Sequence, residues 1–105
     1  MHFIIHALDK TGALPARQKN IAKHRAYITD APAKHGIRTL MSGPLTEDDG
    51  TTMKGSFFLL DAPDRGAVEA LLADDPLAKA EVWGSLTITN VSIRTNIIGS
   101  LEEAH

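Results

Sequence analysis

The sequence HFIIHAL at residues 2–8 decides the fold of this chain. It is short and rich in residues that favour β-structure, and the polar, turn-forming residues 9–12 end it. It therefore predicts a first strand. Its apolar side chains alternate between both faces, with Phe3 and Ile5 on one face and Ile4 on the other. Strands that are apolar on both faces belong to sheets that are covered on both sides.

A long helix is predicted after this strand, from Pro15 to about His35. Its apolar positions recur at helical spacing, and proline suits the first turn of a helix. Gly36 stands just past the end, where a left-handed cap is expected. Pro32 would remove one backbone hydrogen bond inside the helix, so we expect a kink or an early end near Asp30.

The remaining elements follow from apolar runs and turn signals. A second strand is predicted at residues 37–45, closing on the turn Ser42-Gly43-Pro44, and a third at 53–60. A second helix opens after residue 61 and ends at Asp74-Asp75-Pro76, since a residue before proline disfavours helical geometry. A fourth strand begins near Glu81, with a bulge or break beyond Asn90.

The resulting order is β-α-β-β-α-β, which is the ferredoxin-like α+β arrangement with an antiparallel sheet. Two helices cover only one face of a four-stranded sheet. The third strand is also apolar on both faces, because Phe57 and Leu59 alternate with Phe58 and Leu60. A second copy of the chain would cover the free face, so the pattern predicts a homodimer packed sheet to sheet.

Composition narrows the classes of function. The chain has 105 residues, 43% of them hydrophobic and 23% charged, which is typical of one globular domain. We assign residues 1–94 to the domain and 95–105 to a C-terminal tail. A net charge of -2 disfavours nucleic acid, and no apolar run is long enough to cross a membrane. The chain has no cysteine, which excludes disulfides and thiol catalysis and fits the cytoplasm, and its start does not resemble a secretory signal.

His24 interrupts the apolar stripe of the first helix, and Asp75 precedes Pro76 far downstream. A histidine and an aspartate that fold into one pocket can move a proton near neutral pH. The alternative is a core histidine bonded to backbone groups and an aspartate that caps a turn, and Asp74 is a second possible partner for the histidine.

The order of these motifs resembles the YciI-like (YCII-related) proteins of the dimeric α+β barrel group. The resemblance covers roughly residues 1–93 and rests on an ordered set of short motifs: Arg17, His24 followed by Tyr27, Gly36, Ser42-Gly43-Pro44, Gly55 and Asp75-Pro76. It implies a dimer with a pocket between helix and sheet and with His24 and Asp75 as the catalytic pair. The chain departs from the family pattern at Leu77 and at residues 79–81, and Pro32 is unusual within the first helix.

Four further residues are candidates for binding the substrate. Arg17 lies two helical turns before His24 and could bind a substrate carboxylate, although such an arginine is often a solvated charge. Tyr27 could donate from its phenol at the pocket rim or serve as an interface aromatic. Ser42 and Gly43 could offer backbone N–H groups to an anion.

Two function classes remain open at this point. The first is a small cofactor-independent enzyme, a lyase, isomerase or dehydrochlorinase, acting on a small organic acid or cyclic metabolite. The second is a non-catalytic dimeric module that binds a metabolite or a protein. We expect no metal or other cofactor, although His2 and His6 could complete a metal site with His24 if all three met.

Overall fold

The fold is seen in a computed structural model that describes residues 1–97. Its elements are β1 (His2–Asp9), α1 (Leu14–Lys34), β2 (Arg38–Thr46), β3 (Met53–Asp61), α2 (Arg65–Ala73), α3 (Pro76–Lys79) and β4 (Trp83–Val91). The four strands form one antiparallel sheet in the order β2-β3-β1-β4. This confirms the α+β class and the predicted order of elements, to which α3 is an unpredicted addition.

The helices pack on one face of the sheet. Phe3 and Ile5 of β1 and Phe58 and Leu60 of β3 point to this face and are at most 2% exposed. They form the core together with apolar residues of the helices and loops: Ala31, Ile37, Ala62, Val68, Leu71 and Leu72. Burying one large apolar side chain contributes about 1.5–3 kcal/mol, so this face holds α1 and α2 on the sheet.

The opposite face, which we call the open face, also carries apolar side chains. Ile4 and Phe57 are half-buried there, and Leu8 is 38% exposed. The core cluster lies wholly on the other side of the sheet. Residues 98–105, which make up most of the predicted tail, lie outside the described residues. Within residues 1–97, no helix is long and apolar enough to cross a membrane.

The predicted early end of α1 near Asp30 is wrong, because the helix continues to Lys34. Pro32 lies in the final turn, where the loss of one amide donor does not prevent the helix from closing. Its carbonyl oxygen accepts from the N–H of Ile37 at 2.9 Å, and the N–H of Gly36 donates to Ala33 at 3.1 Å. With Gly36 at φ +70°, these bonds form a Schellman motif, which confirms the predicted glycine cap.

The structure also corrects the second strand. Ser42, Gly43 and Pro44 do not form a turn, because they lie inside β2 and pair with Phe58, Phe57 and Ser56 of β3. The proline fits because β2 is an edge strand, where a missing donor can face away from the sheet. The residues that predicted a turn are therefore part of an edge strand.

The last strand begins at Trp83, two residues later than predicted, and ends at Val91. Glu81 has φ +56°, a left-handed conformation that separates α3 from β4. The described irregularity in the pairing of β1 with β4 lies between Leu8 and Asp9, at the other end from Asn90.

Gly55 fixes the spacing of three strands. A Cβ atom at this position would lie 2.2 Å from the carbonyl oxygen of Ala7 and 2.9 Å from Cδ1 of Leu45. Any side chain would force β1 and β2 away from β3. The glycine therefore sets the position of Ser56, the next residue along β3.

Candidate active site

Asp75 is positioned by the start of α3. Because it precedes Pro76, its backbone is extended, with φ -63° and ψ 134°. Its Oδ1 accepts a hydrogen bond of 2.8 Å from the backbone N–H of Leu77, as an N-cap does. Leu77 is fully buried and anchors this short helix in the core. The cap that the sequence offered as an alternative is therefore present.

The same carboxylate contacts His24 on α1. Nδ1 of His24 lies 2.9 Å from Oδ1 and 2.8 Å from Oδ2 of Asp75. Asp75 is 1% exposed and His24 is 7% exposed. Because an ionised carboxylate only accepts hydrogen bonds, Nδ1 carries the proton and donates it. In the neutral ring, Nε2 is then the atom that can accept a proton.

Aromatic side chains hold the imidazole in this orientation. The ring of His24 meets Phe58 edge-on at a centroid distance of 6.1 Å and meets Trp83 at 6.5 Å. Such edge-to-face contacts are a favoured geometry for aromatic rings. Nε2 makes no hydrogen bond within residues 1–97, and it belongs to a side chain that lines a cavity.

This cavity, which we call the His24 cavity, has a volume of about 190 Å³ between α1 and the strands β2 and β3. Its walls combine apolar residues with three basic residues and two serines: Arg17, Ile21, His24, Arg25, Ile28, Ser42, Gly43, Pro44, Ser56, Phe57 and Phe58. Within the described chain, no acidic side chain lines it. The lining therefore favours a small ligand with an apolar body and negative charge.

Arg17 lies at the buried end of the cavity and is only 1% exposed. Its Nε and Nη2 bind the two carboxylate oxygens of Asp9 at 2.6 and 2.8 Å, a bidentate pair. Nη2 also donates to Oγ of Ser56 at 2.8 Å. The carboxylate that Arg17 binds is therefore that of Asp9 on β1, which neutralises part of the charge of the guanidinium group.

Of the other three candidates, two line the cavity and one does not. Ser42 and Gly43 are exposed on β2 and line the His24 cavity. Tyr27 does not line it, since its hydroxyl donates to the carbonyl oxygen of Leu71 at 2.7 Å. Burial, and then the negative charges of Asp74 and Asp75, raise the pKa of this phenol above its usual value.

The three histidines considered for a metal site do not meet. His2 and His6 alternate with the core residues Phe3 and Ile5, so they point to the open face, whereas His24 packs on the helix face. In the part of the chain that the structure describes, no group of three potential ligands could hold a metal ion.

Three residues of the site were missed by the sequence reasoning: Asp9, Arg25 and Ser56. Asp9 was assigned to the turn after β1, but β1 extends through it, and strand alternation places it on the same face as Phe3 and Ile5. Arg25 follows His24 directly, which was the available signal. Ser56 alternates onto the same face as Phe58 and Leu60, and a polar residue on that apolar face was the available signal.

Comparison with known proteins agrees with the fold. The family model of the YCII-related domain matches residues 1–92. The chain belongs to this family. Comparison with curated proteins found no match.

Among solved structures, this YCII-related chain is similar to 5-chloro-2-hydroxyhydroquinone dehydrochlorinase from Burkholderia phenoliruptrix AC1100, in complex with 2,5-dihydroxybenzoquinone. The two are 28% identical, the TM-score is 0.76, and the match covers 88% of this chain and 94% of the other. The likeness supports a small enzyme as the broad class of function.

Proposed function

We propose that this chain is a cofactor-independent lyase of the dehydrochlorinase type that acts on a small, hydroxylated, negatively charged ring. The observation that carries the proposal is the contact between His24 Nδ1 and Asp75, which leaves Nε2 as the acceptor in a side chain lining the His24 cavity. A general base of this kind contributes about 10²–10⁴-fold to a rate.

The reaction needs a proton shift to carbon, a second proton removal and one leaving group. Nε2 of His24 removes a proton from a ring hydroxyl, and the chlorine-bearing carbon gains a proton, which gives a keto tautomer. A second hydroxyl then loses its proton and becomes a second C=O, the ring double bond shifts onto the chlorine-bearing carbon, and chloride leaves with its bonding electrons. Asp75 stabilises the imidazolium that forms, and the proton passes to water. An isomerase would share the first step and return the proton to another carbon.

The substrate class follows from the lining of the cavity. Ile21, Ile28 and Phe58 offer apolar surface to a flat ring, and Arg17 and Arg25 face its negative oxygens. Because Asp9 neutralises part of the charge of Arg17, we propose that Arg17 and Arg25 bind the anion together. Ser42 and Gly43 would contact the ligand at the exposed edge, whereas Tyr27 would act only by holding α1 against α2. The ring that the similar dehydrochlorinase binds fits this description.

We also propose that the working form is a homodimer packed through the open face. Ile4, Phe57 and Leu8 leave apolar surface on that side, and a second copy of the same sheet offers a surface of the same chemistry. The YCII-related family match and the dimeric barrel architecture expected of it support this occupant over another protein.

The direct experiment is an anaerobic assay with 5-chloro-2-hydroxyhydroquinone, following chloride release and the absorbance of the quinone product. Oxygen is excluded because it oxidises such rings without an enzyme. Release of one chloride per ring consumed is the expected result. Binding of 2,5-dihydroxybenzoquinone without chloride release would instead favour the non-catalytic binding module.

A further inference from the structure

Ser56 places a hydroxyl group at the wall of the His24 cavity. It lies in β3, where its backbone pairs with Ala7 on one side and Pro44 on the other. It is 2% exposed, and Gly55 beside it fixes how closely the strands approach. The hydroxyl is therefore held at one place beside the cavity.

Two neighbours donate hydrogen bonds to this hydroxyl. Nη2 of Arg17 donates to Oγ of Ser56 at 2.8 Å, and Nε1 of Trp83 donates to it at 3.1 Å. Neither a guanidinium group nor an indole N–H can accept a hydrogen bond. A serine hydroxyl has two lone pairs and one proton, so both lone pairs of Ser56 are occupied.

The proton of the hydroxyl must then be donated to a third group. Within residues 1–97, no oxygen or nitrogen accepts it, and the cavity lies against this side chain. We propose that Ser56 donates a hydrogen bond to an oxygen of the bound substrate. The inference deepens the proposed function, on which it rests for the identity of the ligand.

This donor would be a strong one, and it would act where charge develops. Hydrogen bonds from Arg17 and Trp83 draw electron density from Oγ, which strengthens the bond that its proton makes. When His24 removes a proton, negative charge grows on a ring oxygen, and a fixed buried donor stabilises that charge. With both lone pairs occupied, Ser56 is not a nucleophile.

A crystal structure of the ligand-free protein tests the donor independently of any activity. We expect an oxygen atom, of water or of a bound anion, about 2.5–3.0 Å from Oγ of Ser56 on the cavity side. An Oγ that instead donates to a protein acceptor, or that has no oxygen within reach, would overturn the assignment whether or not the chain is an enzyme.

Titration with 2,5-dihydroxybenzoquinone tests what the donor does for binding. Ser56→Ala should weaken binding about tenfold or more, because a hydrogen bond to a charged oxygen is lost. Trp83→Phe is the matched variant, since it breaks the same network but leaves the serine proton. It should lose less affinity, and melting temperatures check that both variants fold.

Equal losses in the two variants, or no loss in Ser56→Ala, would show that Ser56 is only structural. A wild-type protein that binds the quinone through Ser56 but releases no chloride would refute the proposed lyase and leave the Ser56 donor standing. The two proposals can therefore fail separately.

Discussion

Both carboxylate oxygens of Asp75 lie within 2.9 Å of Nδ1 of His24, and one of them also caps α3. The two residues are 51 positions apart in the chain. Because the cap fixes the carboxylate and the carboxylate fixes the ring, the fold itself determines which nitrogen of His24 can act as a base.

Asp75→Asn should abolish most turnover while the fold persists. The amide oxygen can still cap α3, but the amide nitrogen would offer a donor to Nδ1 and favour the tautomer with a proton on Nε2, which cannot accept another. We expect kcat to fall about 10²–10⁴-fold with little change in KM. The control is Asp74→Asn, an exposed neighbouring carboxylate. Similar losses in both variants would contradict the account.

Asp9→Asn should be strongly destabilising. It leaves Arg17, whose side chain is 1% exposed, as an uncompensated buried charge, which costs about 3–5 kcal/mol. Urea denaturation measures the loss, and the double variant Asp9→Leu/Arg17→Met should recover much of it. The comparison is Asp61→Asn, which breaks the exposed pair with the N-terminal amine and should cost about 0–1 kcal/mol. A similar cost at both sites would mean that the Arg17 pair is not a buried structural unit.

Arg25→Gln should weaken the binding of an anionic ring. Arg25 is exposed at the cavity, so its contribution is screened, and we expect a loss of about twofold to fivefold for 2,5-dihydroxybenzoquinone. The loss should shrink as salt is added. Lys23→Gln removes the same charge from the same helix outside the cavity and should change the affinity less. An equal, salt-independent effect in both variants would argue against charge selection by Arg25.

Leu8→Glu should convert the proposed homodimer to a monomer. Leu8 points to the open face and is 38% exposed, and a buried carboxylate there would oppose sheet-to-sheet packing. Leu86→Glu is a matched control, because Leu86 is 37% exposed but pairs with Ala7 and points to the helix face. Light scattering after gel filtration gives the mass. A monomeric wild type, or a Leu8→Glu variant that remains dimeric, would refute this interface.

The sequence predicted the fold because its signals were local and strong. Alternating apolar residues at 2–8 and 53–60 specify strands, and Gly36 marks the helix end whatever the rest of the chain does. Ser42-Gly43-Pro44 was misinterpreted because the same residues suit a turn and an edge strand. Only the pairing of β2 with β3 distinguishes the two.

The site could be predicted only in part, for a physical reason. His24 and Asp75 stand out because a polar residue in an apolar stripe and an aspartate before proline are unusual locally, and the fold brings them together. The partners of Arg17 and Ser56 come from three strands, and only the folded sheet brings them together. No spacing along the chain encodes such a contact.

The most direct test of the central claim is single-turnover chloride release by His24→Gln beside His35→Gln, which changes a histidine at the end of the same helix. If Nε2 of His24 is the base, His24→Gln should react at least about 10²-fold more slowly, and His35→Gln should match the wild type. A His24→Gln variant that releases chloride at the wild-type rate would contradict the account.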